Sequence, residues 1–175
     1  MSAPVFLYNY DTATPIRIHE DIADRTEDGP PLAEANYQIP ILWLALFTEA
    51  NIVRQPEPTL FTSRQEGLAT YARRRDALRK KLGAARACYV DDWERMLASE
   101  FARGAYFQIE FSDVYYMYNE GEFEPDLLGW FKGLDELTGP GWQSLCNQAE
   151  LDNPTAITKL GLRGWTPHEA LGWGD

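Results

Sequence analysis

From Ile41 to Phe47 the chain reads Ile-Leu-Trp-Leu-Ala-Leu-Phe, with no polar position to face water. A segment apolar on every side is buried all round, and Pro40 before it suits the first turn of a helix, where a missing N–H forfeits no hydrogen bond. The pattern therefore predicts a short buried helix at the centre of the core. The next stretch has helical periodicity: Leu68, Tyr71, Arg75, Leu78 and Leu82 recur on one stripe, Ser63 and Glu66 form a capping box, and Gly83 stops the helix. Arg75 is the polar exception on that stripe. A third helix is expected from Asp91 and Glu94 as its cap, with Trp93, Leu97 and Phe101 inward and Gly104 as its end.

Strict alternation replaces that spacing at Ala105–Phe111. Phe107, Ile109 and Phe111 fall on one side and Tyr106, Gln108 and Glu110 on the other, which predicts a half-buried strand. Val5–Tyr10, aromatic and β-prone, predicts a second strand. Residues 11–31 read as a polar, acidic loop ending at Gly29-Pro30-Pro31, with a short strand at Ile16–His19, and Gln55-Pro-Glu-Pro58 as an extended connection. Val114–Tyr118 fits either a hairpin partner for the alternating strand or a short helix capped by Ser112. Later helices are expected from Pro125, with Leu127, Phe131 and Leu134 inward, and from Trp142 after the break Gly139-Pro140-Gly141. Two more short ones follow at Asn153–Gly161 and after the Thr166–Glu169 capping box. The expected architecture is a single α+β domain, 1–175: a small, mostly antiparallel sheet packed on four or more helices. Four of the six tryptophans follow a glycine (Trp130, Trp142, Trp165, Trp173), as expected where aromatic rings close gaps between closely passing backbones.

Charge narrows the functional classes. With 27 Asp and Glu against 16 Lys and Arg, the net charge is -11, which disfavours nucleic acid and anionic lipid and favours basic protein partners. Half of the basic residues crowd onto the second helix and its end, among them Arg73-Arg-Arg75 and Arg79-Lys-Lys81. They spread around the helix rather than along one stripe, so they are expected to pair with the chain's own acids, for example Lys80 with Asp76. The first residues have neither a basic nor an apolar leader region, the apolar run is far shorter than the roughly 20 residues a bilayer needs, and the two cysteines form no CxxC. Together these predict a cytoplasmic protein.

Catalytic patterns are weak. His19-Glu20 has no second histidine at zinc-protease spacing, and His168 lies inside a capping box. Cys88 or Cys146 could in principle pair with either histidine, but Cys146 falls on an apolar helical face, where an inert buried thiol is the usual case, so thiol chemistry is disfavoured. Glu120-Gly-Glu-Phe-Glu-Pro-Asp126 lacks the ligand spacing of a calcium loop, and no phosphate-binding glycine loop occurs. The expectation is no enzyme activity, no metal and no cofactor. An enzyme with a carboxylate site drawn from Glu110, Asp113 and the acids of 120–126 is the alternative, and a cytosolic scaffold is a third.

A short acidic chain without a leader, without a catalytic constellation and with acid-and-aromatic patches such as Glu120–Asp126 resembles the small immunity proteins of bacterial toxin–immunity systems. That resemblance implies tight binding to a cognate toxin domain, usually over its active site, and a basic toxin would suit an acidic inhibitor. The partner surface is then expected at Glu120, Glu122, Phe123, Glu124 and Asp126, with Asp91, Asp92 and Glu94 as a second contribution. In this reading Phe123 is an apolar anchor ringed by carboxylates; the competing reading packs it back onto Leu127 and Trp130.

Overall fold

Leu7, Ile109, Leu60 and Ile52 stand side by side in register across four strands, and all four are buried. In the computed structural model, which describes residues 3–16, 31–54 and 58–149, they form the apolar spine of a five-stranded antiparallel sheet. Its strands are β1 (Pro4–Tyr10), β2 (Ala33–Asn36), β3 (Ile52–Val53), β4 (Thr59–Ser63) and β5 (Tyr106–Glu110), in the order β2-β1-β5-β4-β3. The described helices are α1 (Ile41–Leu44), α2 (Arg64–Leu82), α3 (Ala84–Ala98), α4 (Ser112–Tyr115), α5 (Phe123–Glu136) and α6 (Gly139–Gln148). The fold is α+β, as the sequence pattern predicts. None of these helices is long and apolar enough to cross a membrane.

The apolar run is buried as expected, every residue from Ile41 to Phe47 lying at 0% exposure, but its helix is a single turn. Past Leu44 the backbone goes on as a turn, with Leu46 N–H donating to Trp43 and Phe47 N–H to Leu44. A helix this short leaves carbonyls unpaired in the core, and a buried charge satisfies them. Arg74, 7% exposed, donates to the carbonyls of Phe47 (2.5 Å) and Ala45 (3.4 Å), while its Nε meets Asp135 at 2.7 Å. Arg74 is thus the inward arginine of the triplet. Arg75, expected on the buried stripe, is exposed and pairs with Asp76 at 3.0 Å, so Asp76 meets Arg75 instead of Lys80.

Ser63 caps α2 as predicted, accepting from the Glu66 N–H, and Gly83 closes the helix at a φ of 82°. Gly67 sets this helix close onto the sheet: a β-carbon there would lie 3.1 Å from Thr62 and 3.3 Å from Phe107. Helix α3 starts two turns earlier than expected, at Ala84, and runs straight through Asp91. Phe101, expected inward, lies beyond its end in the turn Glu100–Ala102 and is 50% exposed.

On β5 the inward residues are as predicted, yet the strand is covered on both sides. Gln108 is 1% exposed and Glu110 is 7%. Residues 11–16 return over that second face: Gln108 accepts from the Ile16 N–H (2.8 Å) and donates to the Ile16 carbonyl (3.0 Å), imitating a strand pairing. The Ile16–His19 strand, all but its first residue, and the helices expected at Asn153–Gly161 and after Thr166 fall outside the described residues, as do both histidines. Of the two readings of Val114–Tyr118, the hairpin is excluded and the short helix is present as α4, with Ser112 as its first residue and Phe111, not Ser112, at its cap.

Helices α5 and α6 meet backbone to backbone. A β-carbon on Gly133 would sit 2.4 Å from the Trp142 nitrogen, and one on Gly141 would sit 2.3 Å from the Gly129 carbonyl oxygen. The expected break Gly139-Pro140-Gly141 is itself the first turn of α6. Gly133→Ala should therefore destabilise the chain by about 3 kcal/mol, because backbone cannot yield as a flexible side chain does. Gly129 has open space where its own β-carbon would stand, so Gly129→Ala should be neutral or stabilise by up to ~1 kcal/mol. Urea unfolding midpoints of the two variants check the contrast.

Candidate partner-binding cleft

Of the acidic segment 120–126 the fold buries Phe123, half-covers Glu124 and leaves the other five residues exposed. Gly121, at a φ of 81°, takes a conformation that favours glycine and turns the chain sharply before α5 begins at Phe123. That turn points Phe123 inward. It is 2% exposed and lies at the hub of an aromatic cluster, with ring centroids 5.0 Å from Phe111, 5.6 Å from Tyr115, 5.1 Å from Tyr118 and 6.0 Å from Trp130. An exposed anchor at Phe123 is therefore corrected: the ring packs onto Trp130, as the competing reading has it, because four apolar neighbours offer more burial than solvent does.

The four acids of this segment part company as well. Glu124 is engaged by Arg54, with Nη2 at 2.6 Å and Nε at 3.0 Å, and this guanidinium holds its carboxyl below the ordinary range. Glu120, Glu122 and Asp126 are exposed. Glu122 is oriented by Asn119, whose side-chain amide donates to it at 2.8 Å.

The second acidic group is committed within the fold. Asp91 meets Arg79 at 2.6 Å, Asp92 pairs with Arg95, and Glu94 accepts from Tyr71 (3.2 Å) and Arg79 (3.5 Å). Burial first, and then the charge of Glu94, raise the Tyr71 hydroxyl well above its ordinary value. Asp91 and Glu94 fasten α3 to α2, Asp92 pairs within α3, and none of the three lines the cleft described next. The structure does not join them to the 120–126 segment as one surface.

Glu122 stands at the mouth of a cleft of about 420 Å³. Its apolar lining comes from Tyr37, Val114, Met117, Tyr118 and Trp130, drawn from the end of β2, from α4 with the turn after it, and from α5. Gln38, Asn119 and Gln148 add amides, that of Gln148 being held by the backbone of Ile39 at 2.6 and 3.1 Å. Of the four large hydrophobic side chains that the described residues expose, two line this opening, Tyr37 at 49% and Met117 at 62%; a third, Tyr116 at 62%, precedes Met117 in the chain and rests edge-on against Tyr115. Tyr37 also adopts a φ of 63°, rare for a bulky residue and a conformation that surrounding structure must impose. Residues with such strain cluster at binding sites, and methionine adapts its shape to what it meets.

Of the residues that line this cleft, the sequence reading names Glu122 and does not name Tyr37 or Met117. The available signal was the run Val114-Tyr-Tyr-Met-Tyr118, too apolar for both faces of a short helix to be buried. The alternative carboxylate site is not assembled in the form expected. The Glu110 carboxylate accepts from the Ser112 N–H at 2.7 Å and from the Ser112 hydroxyl, which makes it a local brace for the start of α4. Among the described residues no three His, Cys, Asp or Glu side chains gather as a metal site would require.

Comparison with family models, with curated proteins and with solved structures returned no match.

Proposed function

We propose that this chain is a non-enzymatic binding protein that docks a partner protein on the Tyr37–Tyr116–Met117 surface, and that it serves as an immunity protein neutralising a cognate toxin domain in the cytoplasm. The observation that carries the binding reading is a cleft that mixes apolar and amide side chains, with Tyr37 and Met117 exposed at its edge and the Glu122 carboxylate in its lining, a composition that suits a partner with both apolar and basic groups. The net charge of -11 favours a basic partner and fast, salt-sensitive association. The toxin reading adds the resemblance in size, acidity and patch composition to that surface.

The test is co-expression with the product of the gene adjacent to its own. The expected result is relief of growth inhibition and a complex that survives gel filtration. Tyr116→Ser/Met117→Ser should abolish the complex while leaving the circular dichroism spectrum and melting temperature of the free chain unchanged, since both side chains are exposed. Glu120→Lys/Glu122→Lys should slow association by about tenfold at low salt and flatten its salt dependence. A harmless neighbour that forms no complex removes the immunity reading, and a Tyr116/Met117 variant that binds like the parent removes the cleft.

A further inference from the structure

Glu122 differs from the acids that the fold neutralises. Glu124 has Arg54, Asp91 has Arg79, Asp92 has Arg95, and Glu94 has Arg79. No Lys or Arg among the described residues pairs with Glu122, and Asn119 fixes its position. Among the described residues that line the cleft it is the one charged group, and none of them is basic. The cleft thus sets one carboxylate beside tyrosine, tryptophan, valine and methionine and the amides of Gln38, Asn119 and Gln148.

An apolar side chain entering this cleft would strip water from the Glu122 carboxylate and leave it the Asn119 amide alone, which is costly for a charge. A cation on a long apolar stem meets both demands. Its stem would pack on the apolar lining at Met117, its charge would approach Glu122, and the neighbouring rings of Tyr37 and Tyr118 would favour a cation. Arginine suits such a place better than lysine, because its planar guanidinium is weakly hydrated, stacks on aromatic rings and donates in several directions at once.

Resting on the partner-binding reading above, we propose that the cleft is a receptor for an arginine side chain presented by a basic partner protein, with Glu122 as the recognising carboxylate.

The experiment is a nuclear magnetic resonance titration of the full chain with capped tripeptides, acetyl-Gly-X-Gly-amide, in which X is arginine, lysine, citrulline or leucine. The reporters are the Trp130 indole N–H and the side-chain amides of Gln38 and Asn119. The arginine peptide should shift them saturably. Citrulline, equal in shape but uncharged, should bind at least about fivefold more weakly, and Glu122→Gln should erase the difference while preserving the rest of the spectrum. Lysine should fall between the two. Equal binding of citrulline or leucine, or an unchanged arginine response in Glu122→Gln, overturns the arginine assignment but leaves the docking surface standing, since that is judged separately by the Tyr116/Met117 variant in the complex. If no peptide shifts the reporters at millimolar concentration, the receptor proposal falls.

Discussion

Phe123→Ala should destabilise the chain by about 3–5 kcal/mol, the range for truncating a large buried aromatic. The ring touches Phe111, Tyr115, Tyr118 and Trp130, so its loss empties the centre of a cluster joining the end of β5, α4 and α5. It also undermines the cleft, because Tyr118 and Trp130 line it from behind. Chemical denaturation should show the loss directly, while Tyr116→Ser/Met117→Ser melts like the parent. Any weakening of partner binding by Phe123→Ala should follow unfolding of the cleft, whereas the exposed pair should lose binding with the fold intact. A Phe123→Ala chain as stable as the parent, but with faster partner dissociation, would return this ring to the surface.

The contrast between Phe123 and Met117 shows what local pattern can and cannot reveal. Periodicity is a one-element property, and it located β1, β5, α2 and the inward face of α5 because each keeps one face towards one core. Exposure of an apolar residue is a property of what other elements leave uncovered. Phe123 sits among four acids in sequence and reads as a surface residue, yet Gly121 turns it under the domain. Tyr116 and Met117 sit in an apolar run and read as core, yet α4 ends at Tyr115 and the chain turns outward. Three strands were missed for related reasons. In β2, Ala33-Glu-Ala-Asn36 carries no β-branched or aromatic residue, β3 is two residues long, and Thr59–Ser63 runs directly into the α2 cap. The two-sided burial of β5 was hidden because Gln108 and Glu110 are polar, and only the return of residues 11–16 and the Ser112 brace explain how they are accommodated. Arg74 illustrates the same limit. Nothing in Arg73-Arg-Arg75 says which arginine turns inward, since the choice is made by carbonyls at Ala45 and Phe47 about thirty residues away.

Trp43→Ala should cost about 3–5 kcal/mol as well, for a different reason. Its indole fills the core from within a one-turn helix, at 0% exposure, and every neighbour along the run from Ile41 to Phe47 is equally buried. Such a short helix contributes little stability through its own hydrogen bonds, so side-chain volume and the Arg74 guanidinium hold it in place. The indole N–H is buried and has no hydrogen-bond partner among the described residues, which is costly for a donor removed from water. Trp43→Phe should therefore be far milder than Trp43→Ala, because it removes the unpaired donor together with part of the volume. Urea midpoints for the pair separate volume from polarity: a large loss for alanine and about 1–2 kcal/mol for phenylalanine is the expected outcome. Equal losses in both variants would mean that the indole N–H is satisfied in solution. No loss in either would place this segment at the surface, where its seven consecutive apolar residues would displace the Tyr37–Met117 cleft as the docking site.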